Sequence, residues 1–228
     1  MEHVIAGNIL QVWEYGDWLY EGQHGFRPGN SYESQLIAVC RDISDSLVEA
    51  ARLDAIIIDF SKAFDLVPHD RLLKKIAASG VDSRVVVWIR KFLIHRSERV
   101  TVGGRYSEEV RVTSGVPQGS VLGPLLFLAY VNDIWRNIES KNILFAVGCI
   151  IYRKILNIND VEKLQTDLDR LGDWAEGNEM KINPNKTKAL SFTTARVKDP
   201  LNYSVEDQTI PEASYCKYLG IIVRSDLS

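Results

Sequence analysis

Residues 55–60, AIIIDF, set three isoleucines between an alanine and an aspartate. A short β-branched run of this kind makes a buried central strand, which needs neighbours at both edges and cover on its faces. The run also ends on a carboxylate, Asp59. A carboxylate at the end of an apolar strand is stable only where a cation or hydrogen-bond donors meet it. Two roles satisfy that demand: Asp59 caps the following turn, Ser61-Lys62-Ala63-Phe64, or it belongs to a charged site.

The rest of the chain alternates helix and hairpin patterns. The N-terminal residues carry an amphipathic helical pattern. DRLLKKIAASG predicts a helix with Asp70 as N-cap and Gly80 just past its end, and a second helix is predicted over 83–95. Val100 and Val102, then Val110 and Val112, flank Gly103-Gly104 as in a hairpin. An apolar helix is expected over 120–140, then a tight hairpin with strands 143–146 and 149–152 and Val147-Gly148 as its turn. Asn159 is expected to start a helix ending at Gly177, with strand-like runs at 189–193 and 218–223. Hairpins outnumber βαβ units, so the expected class is α+β with a mainly antiparallel sheet in one continuous unit.

Composition narrows the function classes less than it narrows the fold. With 46% hydrophobic and 25% charged residues, the 228-residue sequence reads as globular and not disordered. Its longest apolar run, residues 121–131, is interrupted by Gly123 and Pro124 and is well short of the roughly 18 to 20 residues of a membrane span. No membrane anchor or secretory leader is expected. Cys40, Cys149 and Cys216 lack metal-ligand or disulfide-framework spacing, so neither zinc nor disulfides are expected. The net charge of −3 weighs against a nucleic-acid partner only when averaged over the chain. Residues 84–111 hold seven basic and three acidic side chains, and residues 181–198 hold five basic and none acidic. Two basic stretches in an otherwise acidic chain are an electrostatic footprint for a polyanion.

DFSKAFDLVPHDRLL is followed in order by SGVPQGSVLGPLLFLAYVNDI, LFAVG, INPNKTK and CKYLGI, and is preceded by QHGFRPGNSYESQL. This ordered series resembles the reverse transcriptases of non-LTR retrotransposons over nearly the whole chain. The resemblance implies a right-hand polymerase palm, an antiparallel sheet backed by helices. It divides the chain into a fingers-side lead-in (1–52), palm (53–66), fingers insertion (67–115), palm (116–215) and primer-grip hairpin (216–228). Further fingers motifs and a helical thumb are expected outside these residues.

The chemistry so implied is nucleotide addition to a DNA primer on an RNA template, with two Mg²⁺ ions stabilising the attacking and leaving oxygens. By resemblance Asp59 and the backbone of Phe60 are metal ligands. Phe64 is the residue beneath the deoxynucleotide sugar, or else a core phenylalanine. Gln118 and Gly119 contact the incoming nucleotide, or else form a helix-entry turn. Lys186 lies near its phosphates, or else is a solvated lysine, and Arg27 faces nucleotide or template. Tyr218, Leu219 and Gly220 grip the primer end, or else form a plain edge strand. Nuclear or cytoplasmic residence is the corresponding expectation.

One departure stands out. The family carries two adjacent aspartates after the aromatic-Ala pair of the hairpin, and here Val147 and Gly148 follow Phe145-Ala146. Mg²⁺ prefers octahedral oxygen ligation from carboxylates and phosphates, so impaired metal binding and lost activity are expected. Asp65 is the nearest substitute, or else it caps the local turn. The alternatives to a polymerase are a non-catalytic RNA- and DNA-binding module and a decayed mobile-element fragment.

Overall fold

The computed structural model describes residues 1–94, 96–195 and 200–225. In chain order the elements begin with α1 (Glu2–Tyr15), α2 (Tyr32–Val48), β1 (Arg52–Ser61), α3 (Ala63–Leu66), α4 (His69–Ala77) and α5 (Ser83–Leu93). Four short strands follow, β2 (Ser97–Glu98), β3 (Thr101–Val102), β4 (Arg105–Tyr106) and β5 (Val110–Arg111). Then come α6 (Leu122–Val131), β6 (Lys141–Phe145), β7 (Gly148–Ile155), α7 (Ile158–Gly177), β8 (Lys181–Ile182) and β9 (Lys188–Phe192). The chain continues through β10 (Ser204–Val205), β11 (Gln208–Thr209), β12 (Tyr215–Tyr218) and β13 (Ile221–Arg224). Contacts divide it into two compact units, residues 1–19 with 62–132, and residues 20–61 with 133–228.

The second unit holds a five-stranded antiparallel sheet in the order β6-β7-β1-β8, with β9 also on β1. As the isoleucine run requires, β1 is central: β7 pairs along one edge from Arg52↔Ile155 to Asp59↔Gly148, and β9 and β8 share the other. One face carries Leu53, Ala55, Ile57, Ile150, Tyr152, Leu190 and Phe192, and α2 covers it with Leu36, Val39 and Ile43. On the opposite face Phe60 meets the edge of Trp174 on α7 at 6.3 Å. A capping box between Asn157 and Asp160 starts α7 one turn position earlier than expected, so Asn159 lies inside the helix.

The first unit is built around α6, which is apolar all round and buried along its length. Trp13 of α1 is fully buried and donates its indole N–H to Ser79 at 2.8 Å. The expected helix over 120–140 is half that length. The apolar run and the helix both end at Val131, and the Asn132 side chain just past the end donates to the Trp18 carbonyl at 2.6 Å. Asp70 is not an N-cap: Pro68 holds that position, and Asp70 sits in the first turn, where a carboxylate suits the helix dipole. The second predicted helix ends at Leu93, and His95, its expected last residue, lies outside the described residues. Gly103-Gly104, both at positive φ, make the predicted two-residue turn between β3 and β4. Val100, Val102 and Val110 nevertheless remain exposed, so the paired strands of this ribbon bury neither face, while Val112 just past them is half-buried.

Among the described residues no helix is long and apolar enough to cross a membrane, and Cys40, Cys149 and Cys216 are free thiols.

Candidate active site

In the second unit, sheet register decides which side chains share the end of β1. Asp59 lies on the same face as Leu53, Ala55 and Ile57, and its direct cross-strand partner is Gly148. Gly148 is therefore the first residue of β7 and not a turn residue. The two-residue turn is Ala146-Val147, because Ala146 takes the left-handed conformation (φ +54°) that a glycine was expected to supply.

Across the other edge of β1 the Asp59 carbonyl accepts the Asn183 N–H at 2.8 Å. The antiparallel alternation then turns the Phe60 carbonyl toward the β7 edge. Asn183 also builds the next loop. Its carbonyl accepts the N–H groups of Lys186 (3.2 Å) and Thr187 (3.0 Å), and its side chain accepts that of Asn185 (3.1 Å). This turn delivers the Lys186 ammonium to the Asp59 carboxylate at 3.1 Å. The cation that Asp59 demanded at the end of an apolar strand is thus Lys186, and Asp59 is not the cap of the turn after it, whose N-cap is Lys62.

Tyr218 closes the same end of the sheet. Residues 211–213 hydrogen-bond to Ala189 of β9, which lays β12 over the sheet face. There Tyr218 is buried, with the Gln35 amide donating to its hydroxyl at 2.5 Å. Burial, followed by the nearby Cys149, holds its phenol well above the ordinary range. A Cβ added at Gly148 would meet the Tyr218 ring at 3.6 Å, an ordinary contact. The run 218–223, expected as one strand, is instead a hairpin: Leu219 and Gly220, both at positive φ, turn β12 into β13. Arg27 donates to the Tyr20 carbonyl at 3.0 Å.

Three expected residues lie in the first unit. Phe64 is half-buried and stacks on the buried Phe127 of α6, with ring centroids 4.6 Å apart. The loop before α6 is tied to α3: the Val116 N–H donates to the Phe64 carbonyl at 2.8 Å and Ser114 Oγ to the Asp65 carbonyl at 2.9 Å. Gly115 is required there, since a Cβ would lie 2.8 Å from the Asp65 carbonyl. Gln118 and Gly119 are exposed, and Gln118 Nε2 reaches the Asp65 carboxylate at 3.4 Å, which ties Asp65 of α3 to the loop before α6.

Across the β1–β7 rung Asp59 faces Gly148, and the Lys186 ammonium lies 3.1 Å from one of the Asp59 carboxylate oxygens. Among the described residues no group of three or more His, Cys, Asp or Glu side chains is gathered to hold a metal ion. The sequence reading passed over three residues that build this region, Gln23, Gln35 and Asn183. All three lay within quoted motifs, but Gln23 and Asn183 use their side chains on backbone N–H groups and Gln35 bonds to a hydroxyl far along the chain, and such bonds leave no signal in adjacent residues.

Comparison with known proteins supplies the lineage. The family described as reverse transcriptase (RNA-dependent DNA polymerase) matches residues 1–223. The chain is 29% identical over 228 residues to a probable RNA-directed DNA polymerase from transposon X-element of Drosophila melanogaster, covering 97% of this chain and 25% of that protein. It is 27% identical to the RNA-directed DNA polymerase from mobile element jockey of Drosophila funebris, covering 100% and 26%. The chain thus spans about a quarter of the length of these relatives. Among solved structures, apo telomerase from Candida tropicalis, truncated from its C-terminal domain, superposes with a TM-score of 0.64 at 13% identity, over 98% of this chain and 43% of that one. Telomerase from Candida albicans in complex with a fragment of telomeric RNA gives the same TM-score at 12% identity, over 100% and 38%. The fold is a polymerase palm-like α+β fold, and the chain belongs to the reverse transcriptase (RNA-dependent DNA polymerase) family.

Proposed function

We propose that this chain is the palm-centred part of an RNA-directed DNA polymerase that keeps its template–primer framework and has lost nucleotide addition. The observation that carries the loss is the rung Asp59↔Gly148, where the sole acidic partner of that pair is neutralised by Lys186. Mg²⁺ is the ion such a site would use, and the substituted hairpin leaves it too few oxygen ligands. The buried Tyr218 and the Leu219-Gly220 turn support a primer-grip role, and the exposed Gln118-Gly119 loop beside Phe64 supports contact with a deoxynucleotide. Arg27 and Lys186 are the cations assigned to the nucleotide in this reading, Lys186 beside its phosphates and Arg27 facing nucleotide or template. Residues 84–111 and the described Lys181, Lys186 and Lys188 supply positive charge for an RNA template; Arg196 and Lys198 lie outside the described residues.

Two measurements on the same protein test this. Binding to an RNA–DNA duplex should weaken steeply with salt, in proportion to the phosphates contacted. Primer extension on an RNA template with Mg²⁺ should be absent or several orders of magnitude below ordinary polymerase rates. Extension at ordinary rates refutes the loss of activity, and salt-insensitive or absent binding refutes the nucleic-acid framework and favours a decayed fragment.

A further inference from the structure

We propose that Gln23 is the positioning residue of the β6–β7 turn, fixing the Ala146-Val147 conformation and with it the register at which Gly148 enters β7. The inference rests on the reading of Val147 and Gly148 given above, and it concerns a residue to which that reading gives no part.

Residues 22–24 run beside β6 as a one-rung parallel extension: the Leu144 N–H donates to the Gly22 carbonyl at 2.9 Å, and the His24 N–H donates to the Leu144 carbonyl at 2.8 Å. This places the Gln23 side chain against the turn. Its Oε1 accepts the Ala146 N–H at 3.2 Å and the Gly25 N–H at 2.8 Å. Ala146 is the residue held at φ +54°, a region alanine enters only when something fixes it there. The packing leaves no slack, since a Cβ at Gly25 would fall 2.4 Å from the Ala146 nitrogen.

The other half of the Gln23 amide makes the argument sharper. Gln23 is only 2% exposed, and its Nε2 is buried with no hydrogen-bond partner among the described residues. A buried donor without a partner is unfavourable, and methionine would fill the same space without it. What glutamine supplies that methionine cannot is the oxygen, and that oxygen serves only the turn and the segment clamping it.

The test uses the full chain and hydrogen exchange resolved at single amides. In Gln23→Met the Ala146 amide should exchange about ten-fold faster or more than in the parent, the loss expected for one buried hydrogen bond. Gln23→Glu, which keeps acceptor oxygens, should stay near the parent, and amides of the β1–β9 pairing should be unchanged in both. Ala146 exchange in Gln23→Met within about two-fold of the parent, or equal acceleration across the sheet, overturns the proposal. Should Gln23→Met fail to fold, the double variant Gln23→Met/Ala146→Gly decides. Glycine takes the left-handed turn unaided, so folding should be restored; failure to restore it makes Gln23 a packing residue and ends the proposal. None of these readouts involves nucleotide addition, so a polymerase-active parent would overturn the proposed loss of activity and leave this inference standing.

Discussion

Replacing Val147 and Gly148 by aspartate should make the chain less stable without divalent metal and metal-responsive with it. The substitution is sterically open, because a Cβ at Gly148 meets Tyr218 at 3.6 Å and Gly148 does not lie at positive φ. Its cost is electrostatic. Directly opposed residues of an antiparallel pair hold their Cβ atoms about 5 Å apart, and like charges at that distance repel by about 3 kcal/mol at an effective dielectric constant near 20. Lys186 at 3.1 Å from Asp59 offsets part of this, and its side chain is 66% exposed, so solvent screens the offset. The net destabilisation is about 1 to 3 kcal/mol, or roughly 2 to 10 °C in melting temperature for a chain of this size. A metal at about one hundred times its dissociation constant would return about 2.7 kcal/mol. The assay is thermal unfolding of parent and double variant in chelator and in Mg²⁺, with Val147→Asn/Gly148→Asn as an uncharged control. The parent should not respond to Mg²⁺, the aspartate variant should start lower and recover, and the asparagine variant should do neither. A parent stabilised by Mg²⁺ as much as the variant refutes the argument that one carboxylate paired to Lys186 cannot hold the ion.

Further outcomes follow from the second unit. Asp54 is fully buried, with both carboxylate oxygens bonded by Arg52 at 2.7 Å and one also by the Tyr203 hydroxyl at 2.7 Å. Tyr203→Phe should therefore cost about 1.5 to 3 kcal/mol, and Asp54→Ala, which breaks the buried ion pair with Arg52, about 3 to 5 kcal/mol, both read from urea midpoints. Under native conditions Cys40 should be alkylated quickly while Cys149, whose thiol is pushed up by burial, stays protected until unfolding; equal rates by mass spectrometry would contradict the fold. Burial, and then the Arg27 charge, hold the His24 imidazole below its ordinary 6.5. The unfolded chain then binds more protons, so this contribution is fully present above pH 6.5 and is lost as pH falls through the depressed value. The fall in urea midpoint between about pH 7.5 and 5.5 should be smaller in His24→Gln than in the parent, and identical falls would show that His24 does not titrate differently on folding.

What the amino-acid order determined by itself was local or cumulative. The β-branched run made β1 central, Gly103-Gly104 made a two-residue turn, and the five ordered motifs carried the family, because each of these signals resides in adjacent residues. Asp59 even announced its need for a cation. The identity of that cation came from tertiary structure, since Lys186 is distant in sequence and reaches the carboxylate only through the Asn183 turn. The stop of α6 at Val131 was legible too, since the apolar run ends there and Asn132-Asp133 are weak helix formers. Tertiary structure also moved Gly148 from turn to strand. A hairpin's register depends on which residue takes the left-handed position, and Ala146 takes it because an oxygen of Gln23, far along the chain, and a backbone packed against Gly25 hold it there. Sequence could say that Val147 and Gly148 follow the Phe145-Ala146 pair; only the paired strands decided that Gly148 sits directly across from Asp59.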